Sequence, residues 1–216
     1  MWENYGQPNH IYFEFHGFSL PSNTHDCVRT ALDVEGSDPQ YAAKMKRLES
    51  EGIRYGSSNG QEACLRFPDK IDDDVLRFLA VKHSMAGGPA AVRTKKGRRK
   101  ARSLLLGEVR DKLSGYPSGR DAKQDSALLE VQSVAASKGD AQAKMMSDNA
   151  LNAVRFRLKE KERMQELIVG LEAEKAAHKA EKAEKKKAKK EKKAKKKEEK
   201  AKKEAGATKK EEKEEL

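Results

Sequence analysis

The stretch of this sequence with the clearest capacity for chemistry is a run of cations at residues 93–102. It carries no acidic residue and seven basic ones: Arg93, Lys95, Lys96, Arg98, Arg99, Lys100 and Arg102. Cations at this density can neutralise successive phosphates of a polyanion and release its counterions. Short exposed basic runs are also typical of nuclear-import signals. We therefore predict that these side chains form a nucleic-acid-binding segment; the alternative is a linker whose charges only keep it in solvent.

Histidines and a cysteine near the N-terminus could bind a metal or act in catalysis, but their spacing fits no motif. Five, eight and one residues separate His10, His16, His25 and Cys27, which is not the spacing of a zinc site. Cys27 follows His25 and Asp26, yet catalytic triads are assembled from distant segments. We find no GxGxxG or P-loop motif either. We predict no catalytic residue, no metal and no cofactor, and we expect the protein not to be an enzyme.

The positive charge is concentrated in two places, whereas the aromatic residues lie elsewhere. The 216 residues have a formal net charge of +11, to which residues 1–92 contribute −4, residues 103–174 −1 and residues 175–216 +9. Ten of the twelve aromatic residues lie between Trp2 and Phe78. Because aromatic side chains bury the most apolar area per residue, we expect the packed core to lie in the first part of the chain.

These shifts in composition predict an α+β protein with four segments. The first is a small domain with about three strands and three helices, and extended α-helical segments and a charged tail follow it. The segments are a small α+β domain at 1–86, a basic linker at 87–102, a helical region with a possible coiled coil at 103–174, and a Lys/Glu/Ala-rich helical or disordered tail at 175–216.

Local patterns predict the elements of the first domain. Alternating apolar residues over 10–20 indicate a half-buried strand, and a short helix is expected to end near Asp33. A capping box formed by Ser37 and Gln40 opens a helix, and Gly52 ends it in a left-handed conformation. A hairpin follows at 53–67, with the strand Gln61–Phe67 returning from the loop. Aspartates at 72–74 begin a last helix, which Gly87 ends.

This order of elements resembles that of a winged-helix domain. The resemblance implies a reading face formed by Lys44, Lys46, Arg47 and Arg54, with residues 56–60 as the wing. The alternative is that these cations are the solvated side of an amphipathic helix. The net charge of −4 argues against a nucleic-acid-reading surface, so we expect the domain at residues 10–86 to dock a protein partner.

The last apolar helix and the tail have different expected roles. Residues 148–172 place Leu, Val, Ile and Met at helical spacing, with polar residues interrupting the heptads, which allows a coiled coil without requiring one. The tail has no apolar face to pack and is expected to be a solvated helix or disordered.

The compartment follows from the cysteines and the N-terminal residues. Two cysteines are too few for a secreted disulfide scaffold, so we expect reduced Cys27 and Cys64 in an intracellular protein. The first residues show no secretory leader, and no run is apolar enough to span a membrane. We expect a nuclear or nucleolar location, with the cytoplasm as the alternative, and no membrane partner.

The function predicted from these features is non-catalytic. We expect a nucleic-acid-associated protein that binds RNA or a ribonucleoprotein, or DNA or chromatin, through the basic linker and the tail. The alternative is a coiled-coil scaffold or assembly subunit, in which helix 148–172 pairs with a partner helix. The sequence does not determine the oligomeric state.

Overall fold

Helices dominate the described part of the chain, which also contains one small sheet, so the predicted α+β class is confirmed. The computed structural model describes residues 6–53, 62–85, 87–116, 122–137 and 148–214. The elements are α1 (Asn9–His16), β1 (Val28–Ala31), α2 (Tyr41–Ser50), β2 (Glu62–Leu65), α3 (Asp73–Lys82), α4 (Gly88–Val92), α5 (Lys95–Ser114), α6 (Lys123–Ser137) and α7 (Asp148–Glu214).

Helix α1 replaces the strand predicted over residues 10–20, so that prediction is wrong. Pro8 precedes the helix in an extended conformation, and Gly17 ends it with a left-handed φ of +72°. Tyr12 faces the interior, and the ring of Phe13 stacks on that of Phe156 in α7 at 4.7 Å. Tyr12 is therefore buried and Phe13 is packed on a distant part of the chain, whereas Phe15 is 70% exposed.

Strands β1 and β2 form an antiparallel pair, with Val28 opposite Leu65 and Ala31 opposite Glu62. The short helix predicted before Asp33 is wrong, because β1 occupies these residues. The predicted return strand is confirmed over β2, where Ala63 and Leu65 face the core. Its predicted hairpin partner begins at Ile53, which is buried and not in a strand. The rest of that strand and the wing loop fall in residues 54–61, which lie outside the described residues.

A disulfide joins Cys27 to Cys64, with the two Cα atoms 5.4 Å apart. The expectation of two reduced thiols is therefore wrong for this structure. The sequence separation of 37 residues hides the pairing, because only the antiparallel register of β1 and β2 brings the two cysteines together.

Helix α2 is confirmed, although its predicted capping box is not. Gln40 has no side-chain cap hydrogen bond; instead the Asp38 carboxylate accepts a hydrogen bond from its backbone N–H at 2.8 Å. The predicted left-handed stop is present, since Gly52 has a φ of +60° and the next N–H donates to the Leu48 carbonyl at 3.0 Å.

Helix α3 is the central helix of the core. Asp72 caps it by accepting a hydrogen bond from Asp74 N–H at 2.9 Å, as the run of aspartates predicted. Its end lies earlier than predicted, because Ser84 adopts a φ of +46° and Met85 N–H donates to Ala80. Phe78 and Leu79 are fully buried, and α2, α4 and α5 all pack on this helix.

The core continues well beyond the first 86 residues, which corrects the expectation drawn from the aromatic residues. Buried aliphatic side chains of α5 and α7 join it: Leu105, Leu106, Val109, Leu113, Met164, Leu167 and Leu171. These apolar residues of α7 are therefore covered by the chain's own core, and the pairing of helix 148–172 with a partner helix stays a prediction. In this part of the core, the buried apolar area comes from aliphatic side chains and not from the aromatic residues on which the prediction was based.

The chain divides into two units, residues 1–172 and residues 173–216. In the second unit, α7 continues with the side chains of Lys185 and His178 both contacting Glu181. Hydrogen bonds from Lys185 and His178 lower the pKa of Glu181. Over the described residues, no helix is both long and apolar enough to cross a membrane.

Candidate protein-binding groove

The seven cations predicted to bind nucleic acid are not in a linker. Arg93 caps the C-terminus of α4, and the other six lie on the first turns of α5. Gly97 on the same turns is buried, and a Cβ there would come within 1.8 Å of the Ala91 carbonyl oxygen. Helix α5 thus packs tightly on α4 at this point.

The predicted nuclear or nucleolar location stays a prediction.

Two arginines of this run contact the domain, and the other cations face solvent. Arg98 donates to Asp73 at 3.0 Å, at the start of α3, and Arg102 is half-buried. The exposed members are Arg93, Lys95, Lys96, Arg99 and Lys100. The structure therefore keeps five cations on one surface region of α4 and α5 and uses one in an ion pair.

Other residues considered as binding or metal-ligating candidates are held by local contacts. Lys44 donates to Asp38 at 2.6 Å and to the Lys82 carbonyl at 2.7 Å, so it is not free to read a ligand. His16 stacks on Phe18 at 5.9 Å. No three His, Cys, Asp or Glu side chains come together as a possible metal site anywhere in the described part of the chain.

A concave surface with a volume of about 480 Å³ lies between the segment after β2 and helix α7. Its lining residues are Thr24, Asp26, Leu65, Arg66, Phe67, Pro68, Asp69, Arg163 and Glu166. Leu65 is buried and forms an apolar base, whereas Phe67 is 45% exposed. We refer to this surface as the groove.

A buried network of amides and a carboxylate positions the first side of the groove. Asn9 donates to both oxygens of Asp26, from its backbone N–H at 3.1 Å and from its side-chain amide at 3.0 Å. The Asn23 amide donates to Asn9 Oδ1 at 3.0 Å and to the Gln7 carbonyl at 2.9 Å. Because Asn9, Asn23 and Asp26 are all buried, each of these bonds satisfies a group that would otherwise be costly to desolvate.

Arg163 joins this network to α7 across the groove. Its guanidinium lies 3.8 Å from Asp26 and donates to the Asn23 carbonyl at 3.4 Å. A third contact, at 2.7 Å, runs to Glu166 one turn along the helix. The hydrogen bond to Glu166 raises the pKa of Arg163, while burial acts in the opposite direction. A fixed positive charge therefore stands beside two carboxylates in the middle of the groove.

The opposite side of the groove consists of the segment after β2. Arg66 and Asp69 form an ion pair of 3.0 Å there. The ring of Phe67 rests against Gly170 of α7, where a Cβ would come within 2.2 Å of Phe67 Cδ2. Only glycine permits this approach, and it fixes the aromatic ring next to the charged part of the groove.

A second cleft of about 220 Å³ continues the surface beyond the Arg66–Asp69 pair. It shares Leu65, Arg66 and Asp69 with the groove and extends to Lys70, Asp72 and the start of α3. The two clefts thus adjoin along these shared residues.

A buried ionic cluster holds α6 and α7 together. Asp125 of α6 accepts hydrogen bonds from Arg157 and forms an ion pair of 3.0 Å with Lys161. The side chains of Asp125 and Lys161 are both fully buried. Burial acts to raise the pKa of Asp125, but the hydrogen bonds from Arg157 and Lys161 outweigh burial and lower it. Lys161 also lies 5.5 Å from the ring centre of Tyr116.

Tyr116 extends this cluster towards the sheet. Burial, together with the hydrogen bond it donates to Glu160, raises the pKa of Tyr116. Glu160 also accepts from Lys112 at 2.8 Å, and Lys112 in turn donates to the Arg29 carbonyl in β1 at 2.7 Å. These contacts fix the register of α7 and therefore the position of Arg163.

The residues of the groove were missed in the sequence. The sequence singles out Asp26 only as a neighbour of Cys27, and it does not single out Arg163 at all. Their one sequence signal was the polar cluster Asn23, Thr24 and Asp26 directly before a β-branched segment. That pattern is typical of a turn and does not reveal a partner 140 positions away.

Comparison with known proteins gives a family and a fold. The family described as Rubisco LSMT substrate-binding matches residues 35–162. A crystal structure of the SET domain of LSMT bound to lysine and AdoHcy matches 79% of this chain and 39% of its own at 20% identity, with a TM-score of 0.50. The same domain bound to methyl-lysine and AdoHcy matches 80% of this chain and 39% of its own at 19% identity, with a TM-score of 0.51.

This chain therefore spans about two fifths of the length of those solved structures. No curated protein matches it. At this identity the structural likeness shows the fold.

These findings overturn the functional predictions. The expectation of a non-catalytic protein that binds RNA or a ribonucleoprotein is wrong, and so is its alternative, a coiled-coil scaffold. The family is named for substrate binding, and both matched structures carry lysine or methyl-lysine with AdoHcy. The expectation that the protein is not an enzyme is contradicted by the same matches, because the SET domains they contain are bound to lysine or methyl-lysine and AdoHcy.

Proposed function

The chain belongs to the Rubisco LSMT substrate-binding family, and from this we propose that it is the substrate-holding part of a SET-type protein-lysine methyltransferase. AdoHcy is what remains of S-adenosylmethionine after its methyl group has left, and methyl-lysine is the matching product. The substrate of such an enzyme is a lysine side chain on another protein. The part of the chain proposed to hold that protein is the groove between the segment after β2 and α7.

The size and shape of the groove support this assignment. Its volume of about 480 Å³ is in the usual range for a binding site, and the second cleft lengthens it. Phe67 and Pro68 offer exposed apolar surface beside charged side chains. An aromatic anchor within a polar rim is typical of sites that bind polypeptide segments.

The charges of the groove also suit a segment that carries lysine. Three carboxylates line it, those of Asp26, Asp69 and Glu166, against the two guanidinium groups of Arg66 and Arg163. Glu166 and Asp69 are exposed, with half or more of each side chain open to solvent. They can therefore accept hydrogen bonds from an approaching ammonium group while Arg163 stays bound to Asp26.

The residues of the groove do not fit AdoHcy itself. An adenine ring needs enclosed apolar walls, whereas Thr24, Arg66, Phe67, Pro68, Asp69 and Glu166 are all exposed. We therefore assign methyl donation to a SET-type catalytic region, and to this groove only the holding of the protein substrate. A protein partner was predicted for residues 10–86 or for helix 148–172. In this proposal that partner is the protein substrate, and it contacts both parts of the chain.

Selection from a library of short peptides with a central lysine tests the proposal. The full 216-residue chain is the bait, and calorimetry then measures the affinity of the selected peptides. We expect Arg163→Ala and Phe67→Ala each to weaken binding by about tenfold, as loss of a central anchor does. Phe15→Ala is the matched control, because Phe15 is 70% exposed on α1 and does not line the groove.

Circular dichroism shows whether each variant is folded. Selected peptides whose affinity is the same for wild type, Arg163→Ala and Phe67→Ala would contradict the proposal, as would a library from which no peptide is enriched.

A further inference from the structure

The disulfide joins the two segments that line the groove. Cys27 directly follows Asp26 on one side, and Cys64 directly precedes Leu65 on the other. The bond therefore lies one residue from Asp26 and one residue from Leu65 of the groove lining, and it fastens the turn before β1 to β2. It adds a covalent link to the backbone pairing of β1 with β2.

The two sulfur atoms differ in how accessible they are to a reductant. Cys64 is exposed on β2, whereas Cys27 has 4% of its surface exposed. Thiol–disulfide exchange requires a thiolate to reach one sulfur in line with the bond. Attack is therefore directed to Cys64, and Cys27 is the leaving group.

The surroundings of Cys27 can stabilise the Cys27 thiol that forms when the disulfide is reduced. Cys27 borders a cavity of about 10 Å³ with His10, Asp26, Arg29, Phe156 and Glu160, which is close to the size of one water. His10 Nδ1 is buried and has no hydrogen-bond partner among the described residues. Burial, and next Arg29, lowers the pKa of His10, so its ring is neutral and can accept a hydrogen bond. A Cys27 thiol would supply the donor that Nδ1 lacks.

We propose that Cys27–Cys64 is a redox modification site through which a dithiol reductant controls the groove. A thiolate of the reductant attacks Cys64 Sγ, the Sγ–Sγ bond breaks, and Cys27 leaves as a thiolate that takes up a proton. The second thiol of the reductant then attacks the mixed disulfide and frees Cys64, which is also protonated. The protein gains two electrons and two protons, and the reductant becomes a disulfide.

The consequence for binding rests on the proposed function of the groove. A sheet of two four-residue strands is marginal by itself, so reduction loosens the pairing of β1 with β2. The groove then loses preorganisation, and ordering it again lowers the affinity for a peptide. The oxidised chain is therefore the binding form.

Amide hydrogen exchange on the full chain tests the switch without any ligand. We expect dithiothreitol to speed exchange in β1 and β2 by about tenfold while α3 remains protected, as in local opening of one part of a fold. The Cys27→Ser/Cys64→Ser double variant should exchange as the reduced chain does and should not respond to dithiothreitol. Equal exchange in oxidised and reduced wild type would overturn the proposal, and so would failure of the two thiols to form a disulfide with oxidised glutathione.

The selected lysine-centred peptide then provides the second readout. We expect it to bind the reduced chain about threefold to tenfold more weakly, with recovery after reoxidation. Equal affinity for both forms would overturn control of the groove. A peptide that binds neither form would refute the proposed function, while the exchange measurement still decides whether the switch exists.

Discussion

The ring of Phe67 lies on the backbone of Gly170, so close that a Cβ at position 170 would come within 2.2 Å of the ring. The contact joins the segment after β2 to α7, and these are the two sides of the groove. Phe67 is nevertheless 45% exposed. One part of its ring is therefore packed against α7, and another part is open to solvent and available to a partner.

Replacement of this glycine should destabilise the protein, against the usual trend. A helical Gly→Ala change typically stabilises by about 1 kcal/mol, but the new methyl group at position 170 must displace the Phe67 ring, and overpacking costs about 1–3 kcal/mol. We expect Gly170→Ala to lower the free energy of unfolding by about 1 kcal/mol in urea titrations. Gly107→Ala is the matched control: Gly107 lies in α5 with nothing within 4 Å of a Cβ, and it should stabilise. Stabilisation by both changes would refute the packing described for Phe67.

Asp125 should make stability depend on pH in the acid range. Its folded-state pKa lies below its usual value of 3.8, so the unfolded chain binds the proton more readily. Its contribution is therefore complete above the unfolded pKa and is lost as the pH falls through the folded value. We expect Asp125→Asn to flatten the fall in unfolding free energy below about pH 4. Because the buried Lys161 then loses the carboxylate charge of Asp125, we also expect a cost of about 3–5 kcal/mol at pH 7.

Asp38→Asn is the control for that measurement. Asp38 also has a lowered pKa, owing to hydrogen bonds from Lys44 and Gln40, but its side chain is partly exposed and solvent screens the pair. We expect a clearly smaller change in the acid limb for Asp38→Asn than for Asp125→Asn, and equal changes would contradict the role of the buried cluster.

How much of this molecule could be predicted from its sequence depended on how local each signal was. Helix α3 was predicted because Asp72 caps it from within the same turn. Helix α1 and strand β1 were exchanged, since α1 is stabilised by Phe156, more than a hundred residues away, and β1 pairs with a strand that no local period reveals.

The groove was invisible to sequence patterns for the same reason. It arises where Asp26 meets Arg163, and both are polar residues at positions that look like a turn and a helix surface. The linker predicted at 87–102 fails for a related reason, because the lack of a side chain at Gly97 lets α5 pack on Ala91.

The buried amide of Asn9 should be essential for stability. Asn9→Ala removes both the donor to Asp26 Oδ2 and the acceptor for Leu20 N–H and Asn23. Groups left buried without partners cost about 1–3 kcal/mol each, so we expect a loss of at least about 3 kcal/mol in urea unfolding. Asn152→Ala is the control, because Asn152 only accepts an exposed hydrogen bond from Arg155 and should change stability by less than about 0.5 kcal/mol. Similar losses for the two variants would contradict the role given to Asn9.

The cations at the start of α5 should reduce the stability of the helix they begin. Lys95 and Lys96 stand at its first positions, where the dipole favours acidic side chains, and Lys100 follows Lys96 by one turn. We expect Lys96→Glu to raise the free energy of unfolding by about 0.3–1 kcal/mol at low salt, with Lys96→Gln between it and wild type. The gain should shrink in high salt. A loss of stability in Lys96→Glu would mean that the cation has a stabilising partner after all.

Photo-cross-linking from the groove tests the central claim, that this surface holds the protein substrate, most directly. Benzoylphenylalanine is placed at position 67 in one protein and, as the control, at position 15 in another, since both phenylalanines are exposed but only Phe67 lines the groove. We expect the selected lysine-centred peptide to cross-link from Phe67→benzoylphenylalanine and not from Phe15→benzoylphenylalanine. Cross-linking only from position 15, or equally from both, would contradict the claim.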